Sequence, residues 1–185
     1  MVDAAVARSR RLDILAAAER EFAAAGFAGA RIERIAMRAG VNKQLLFHYF
    51  QSKSGLFAAV LAALLRRYEP SDGAADDPAG ALRRYLSSLE LLARSTPGVV
   101  AALNGDRDVF PPEATTALHD WIASVRTRIA GALADGQRRG YYRDDIDPQE
   151  VARLGVAAAL GVGAFGAASE PGSMVGVLQE YCAWR

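Results

Sequence analysis

Two apolar-patterned stretches, 32–39 and 43–50, are separated only by Gly40, Val41 and Asn42, and this spacing constrains the chain more than any other feature. In the first, Ile32, Ile35, Ala36 and Ala39 recur at helical spacing. Gly40 ends that run, because a left-handed residue costs glycine little. Asn42 is a good N-cap for a helix from Lys43 to Phe50. Two helices this short, joined at "AGVN", form a helix-turn-helix pattern. Within the second helix, Leu46 and Phe50 are four apart on the side of Val41. They predict an inward stripe packing on Ile35, Ala36 and the helix before them. Lys43 with Phe47, and Gln44 with His48, share the other face.

That second face carries groups a DNA major groove rewards. Lysine can bond guanine O6 and N7 or a phosphate, glutamine can pair with adenine N6 and N7, and an aromatic ring can touch a thymine methyl. Lys53 opens the following helix, where its ammonium and the nearby amides can hold a phosphate. Taken singly, His48 reads as a surface histidine, Phe47 as core and the two lysines as solvated charge. Their joint occurrence on one helix after a glycine turn favours a binding face.

The rest of the sequence predicts an all-α protein. Hydrophobic residues make up 51%, much of it alanine, a strong helix former, and Val and Ile do not alternate in runs. The first helix is expected from Arg11 to Ala25, carrying Ile14, Leu15, Ala18 and Phe22, with Gly26 as its stop. Ser52 can cap a fourth helix, 53–68. "EPSDGAADDPAG" reads as a loop. Helical stretches follow over 79–95, 97–106, 112–139, 148–168 and 172–184, about nine helices in all. Asp147 is placed to cap a helix opened by Pro148.

Charge is unevenly distributed. Residues 1–70 hold 11 Lys and Arg against 6 Asp and Glu, while 71–185 hold 11 against 15. This is either a polyanion-binding segment on a body that avoids polyanions or an uneven scatter of solvated charge. The apolar stretch 154–169 is shorter than the roughly 20 residues a bilayer requires. With no export signal recognised and a single cysteine, Cys182, the expected location is the cytoplasm, without membrane contact. No Gly-rich phosphate loop or paired Cys/His metal spacing occurs, and the two histidines fall on separate helices. The sequence therefore predicts no catalytic residues, no metal and no cofactor.

The stretches "ILAAAEREFAAAGF" and "IERIAMRAGVNKQLLFHYFQSKSGLF" together resemble the tetracycline-repressor-like (TetR) family of bacterial transcription regulators. The shared positions include Ile14, Leu15, Ala17, Ala18, Phe22, Gly26, Phe27, Ile35, Ala36, Ala39, Gly40, Val41, Leu46, Phe50, Ser52, Lys53, Leu56 and Phe57. The resemblance implies an N-terminal three-helix helix-turn-helix DNA-binding domain, 1–53. It also implies a C-terminal helical domain for ligand binding and dimerisation, 54–185, with 54–68 as the connecting helix. The family's DNA-facing positions fall on Lys43, Gln44, Leu45, Phe47, His48, Tyr49 and Lys53. Three departures stand out: Ala30 and Arg31 replace the usual Thr pair, Gln44 replaces a small residue, and Phe47 replaces a Tyr. Arg31 can substitute a charged phosphate contact for the lost hydroxyl.

The same resemblance implies a homodimer on a near-palindromic double-stranded operator, released by a small apolar or amphipathic effector. Pocket candidates are Tyr85, Leu89, Leu103, Phe110, His119, Trp121, Ile122, Val125 and Phe165. The expected dimer face uses the small residues Gly155, Ala159, Gly163 and Gly166, which weaken an isolated helix but permit close backbone approach. The alternative is packing of that small face within the chain.

Overall fold

The computed structural model describes residues 2–69, 77–95, 110–165 and 173–183. Eight helices lie among them: α1 (Val2–Gly29), α2 (Ile32–Arg38), α3 (Lys43–Phe50), α4 (Lys53–Arg67), α5 (Pro78–Ser95), α6 (Pro112–Arg138), α7 (Pro148–Phe165) and α8 (Ser173–Cys182). The helix expected over 97–106 lies outside the described residues. Contacts divide the chain into two compact units, residues 1–64 with 101–118, and residues 65–100 with 119–185.

In the first unit, α1 continues past the expected stop. Gly26 takes φ 65° and ψ 179°, so the helix kinks there and resumes to Gly29. The core is built from Ile14, Leu15, Ala18 and Phe22 of α1, Ile35 and Ala36 of α2, and Leu46 and Phe50 of α3. Leu56, Phe57, Val60 and Leu61 complete it, which is why the first half of α4 belongs to this unit. Each large aliphatic or aromatic side chain among these stabilises the fold by roughly 1.5–3 kcal/mol relative to exposure. The Phe57 ring meets Phe22 edge-on at 4.9 Å, Phe27 at 5.3 Å and Phe110 at 4.9 Å between centroids.

Local chemistry sets the turns that aim α3. Gly40 adopts φ +65°, a region that side-chain-bearing residues rarely enter. Asn42 Oδ1 accepts from the Leu45 N–H at 2.8 Å, the cap its sequence position predicted. Two residues then carry the chain into α4: Gln51 at φ 62°, and Ser52, whose Oγ accepts from the Gly55 N–H at 2.9 Å. A Cβ at Gly55 would lie 2.3 Å from the Phe50 carbonyl oxygen, so the α3–α4 approach depends on glycine there.

In the second unit, α5 packs along α7 and α8 and buries Leu82, Leu86, Leu89 and Leu92. Asp77 caps α5, accepting from the Ala79 and Gly80 N–H groups at 3.0 Å each. Asp147 caps α7 by accepting from the Gln149 N–H at 2.9 Å. Glu69, just past α4, accepts from the Trp121 indole at 2.6 Å and pairs with Arg128 at 2.7 Å, fixing that segment to α6. The chain after α6 bridges to the C-terminus: Tyr142 pairs with Ala183, and the Arg143 N–H donates to the Cys182 carbonyl at 3.0 Å. The Tyr142 ring lies so close to α6 that a Cβ on Gly136 would sit 2.2 Å from it.

Candidate nucleic-acid interface

The candidate face begins with the anchoring of α2. Its N-cap residue, Arg31, is extended and makes no side-chain cap bond, as expected when the usual Thr is absent. A carboxylate from α1 takes over part of that task. Glu21 is completely buried, accepts from the Arg31 N–H at 3.4 Å, and pairs with Arg34 at 3.4 Å and Arg38 at 3.3 Å. Sequence reasoning missed Glu21. The available signal was its position beside Phe22 and three residues after Ala18, on the face of α1 that turns inward.

On α3, Leu46 and Phe50 are buried while Lys43, Gln44, Phe47 and His48 are exposed. Phe47 retains 38% exposure, although its ring is apolar. Leu45 and Tyr49 are half-buried at the edges of this face. The Tyr49 ring sits between those of His48 and Phe50, at 5.7 and 6.2 Å. Arg31 is exposed at the start of α2, and the Arg11 guanidinium lies over the Phe50 ring at 5.2 Å.

The two lysines are held differently from one another. Lys43 forms an ion pair with Glu33 of α2, and that ammonium holds the Glu33 carboxyl below its usual range. The Lys53 ammonium donates to the Ala28 carbonyl at 3.1 Å and lies 5.0 Å from the Phe27 ring centroid. Lys53 thus ties the end of α1 to the start of α4, a structural task the sequence did not disclose.

The pocket candidates fall in both units. Phe110 is buried against Phe57 in the first unit. In the second unit, Tyr85, Leu89 and Val125 are buried, Trp121 and Ile122 are half-buried, and His119 is exposed. Leu103 and Gly166 lie outside the described residues, as do the Phe165 side chain and the surroundings of Gly163. Gly155 and Ala159 do not present a free face. Ala159 is buried, and a Cβ on Gly155 would be 3.3 Å from both Leu86 of α5 and Leu178 of α8. Their small size serves packing within the chain, the alternative that the sequence left open. The neighbouring stripe of α7 is the open one: Leu154 and Ala157 are exposed, with Ala158 and Gly161 half-buried.

A family model described as "Bacterial regulatory proteins, tetR family" matches residues 14–60. The chain is 56% identical over 48 residues to the HTH-type transcriptional repressor SCO4008 of Streptomyces coelicolor, covering 26% of this chain and 25% of that one. It is 29% identical over 152 residues to the HTH-type transcriptional repressor NicS of Pseudomonas putida, covering 74% of this chain and 67% of that one. The fold is similar to that of a TetR family transcriptional regulator from Agrobacterium tumefaciens, with a TM-score of 0.76 and 21% identity over 96% of this chain and all of that one. With the helix-turn-helix geometry of α2 and α3, residues 14–60 carry the N-terminal segment of the TetR family, and these likenesses support a TetR-like regulator that binds DNA.

Proposed function

We propose that the protein is a ligand-released repressor that binds a near-palindromic operator as a homodimer. The observation that carries this reading is the two-sided character of α3. Its inward stripe is anchored by Leu46 and Phe50, while Lys43, Gln44, Phe47 and His48 are exposed on the outward side. In this reading Gln44 pairs with an adenine edge, Lys43 reaches a guanine or phosphate, and Phe47 touches a thymine methyl. Leu45, His48 and Tyr49 line the groove wall, and Arg31 and Lys53 meet phosphates.

One short helix reads too few base pairs to select a genomic site, so a second copy is required, its half-site about one helical turn away. The supporting surface lies on α7 and α8. Leu154, Val177 and Tyr181 are 51%, 59% and 54% exposed, unusually open for large apolar groups on helices whose other sides are packed. An effector that binds better to a conformer with wrongly spaced reading helices lowers operator affinity by linkage.

The test is selection of duplexes from a random pool by the purified protein. A recovered near-palindrome whose binding weakens linearly in log–log plots against salt, by counterion release, supports the reading. Recovery of no preferred sequence, or binding indifferent to salt, overturns it.

A further inference from the structure

We propose that Glu33 is a specificity-determining residue of the reading face, acting by withholding the Lys43 charge until a base edge replaces the carboxylate. This inference rests on the DNA-binding reading above. The juxtaposition is specific: Glu33 is the second residue of α2, Lys43 is the first of α3, and their charged ends form an ion pair across the turn between them. Both groups are exposed, so a duplex seated on α3 meets them together.

The surrounding cations do not relieve this constraint. Arg34 and Arg38 of α2 are engaged with the buried Glu21 carboxylate. Arg31 adds a weaker attraction to Glu33 and leaves the Lys43 pairing dominant. Lys43 therefore approaches DNA as half of a neutral couple. Against a phosphate at an arbitrary site, the couple must break or bring a carboxylate toward the backbone, and neither gains net charge neutralisation. Where the groove offers guanine O6 and N7, two directed acceptors replace the single carboxylate. The couple thus penalises non-specific contact more than the correct one. Exposed ion pairs are weak, so the effect is a bias in the specificity ratio rather than an on–off control.

A separate role for Glu33 is available. An acid in the first turn of a helix stabilises its positive end, and α2 lacks a side-chain cap at Arg31. The experiment separates the two. Glu33→Gln, Lys43→Met and the double variant are measured by fluorescence anisotropy in a salt series, with thermal unfolding in parallel. The probes are the duplex the wild-type chain recovers from a random pool and a scrambled duplex of the same composition. Glu33→Gln is expected to tighten the scrambled duplex by about two- to five-fold at low salt. Its salt slope should steepen by about 0.9, one further phosphate neutralised. The recovered duplex gains less, so the ratio between them falls. In the Lys43→Met background the same change leaves that ratio where it was. An unchanged ratio, an equal fall in both backgrounds, or a loss of binding accompanied by a lower unfolding temperature overturns the proposal. A wild-type chain that retains neither duplex overturns the DNA reading itself, and this inference with it.

Discussion

At the residue scale, Glu21 shows how a buried carboxylate can be held by counter-charges from a neighbouring helix. Its oxygens face a backbone N–H and two guanidinium groups that remain partly exposed. Removing either arginine leaves the carboxylate one counter-charge, whereas removing both strands it. Arg34→Met and Arg38→Met are each expected to cost about 1 kcal/mol, and the double variant more than their sum, on the order of 3 kcal/mol. Urea unfolding measures this; simple additivity would show that Glu21 does not join the two. Tyr142 gives a second prediction. Its ring is buried and its hydroxyl has no hydrogen-bond partner. Burial pushes it from 10.0 to about 12, and pushes the Cys182 thiol from 9.0 to about 11. Both groups are neutral in either state at lower pH, so their contribution is complete below about 9. Above that, the unfolded chain releases protons that the folded chain retains, and stability falls as pH rises from about 9 to 12. Tyr142→Phe should be neutral or slightly stabilising at pH 7, because it removes an unpaired buried hydroxyl. Its unfolding temperature should fall less steeply than that of the wild type above pH 10.

At the element scale, local signals were legible and relations between elements were less so. Asn42, Ser52 and Asp147 each cap the helix that their position announced, because capping needs only neighbours two or three residues away. The inward stripe of α3 was readable for a similar reason: a four-residue repeat fixes one face whatever packs on it. The kink in α1 was not legible, since Gly26 can end a helix or merely bend it. Nor could periodicity choose between two adjacent apolar stripes on α7. Leu154, Ala158 and Gly161 satisfy helical spacing as well as Gly155 and Ala159 do, and only the positions of Leu86 and Leu178 decide which turns inward. Lys53 was legible as a cation at a helix start, but its bond to Ala28 depends on a residue 25 positions away. Within α6, two glycines make a controlled pair. Gly131 has nothing within 4 Å of an added Cβ, while Gly136 meets the Tyr142 ring. Gly131→Ala should stabilise the protein by up to about 1 kcal/mol through helix propensity. Gly136→Ala should destabilise it by about 1–3 kcal/mol through overpacking, as seen by thermal unfolding. If both substitutions stabilise, the ring does not occupy the place described.

At the scale of the whole molecule, assembly and DNA recognition are linked, because the proposed operator contact needs two copies. Leu154→Glu with Val177→Glu places charge on the exposed faces of α7 and α8 and is expected to yield monomers in sedimentation. The same variant should bind a single half-site but lose the cooperative advantage of the full near-palindrome. A variant that remains dimeric would move the interface elsewhere. The central claim, that the outward side of α3 reads base edges, is tested most directly by parallel selection from one random pool with the wild-type chain and with Gln44→Ala. The predicted result is an altered preference at one or two base pairs in each half-site, with the remaining positions and the half-site spacing unchanged. Identical recovered sequences, or an even loss of affinity across all of them, would contradict it.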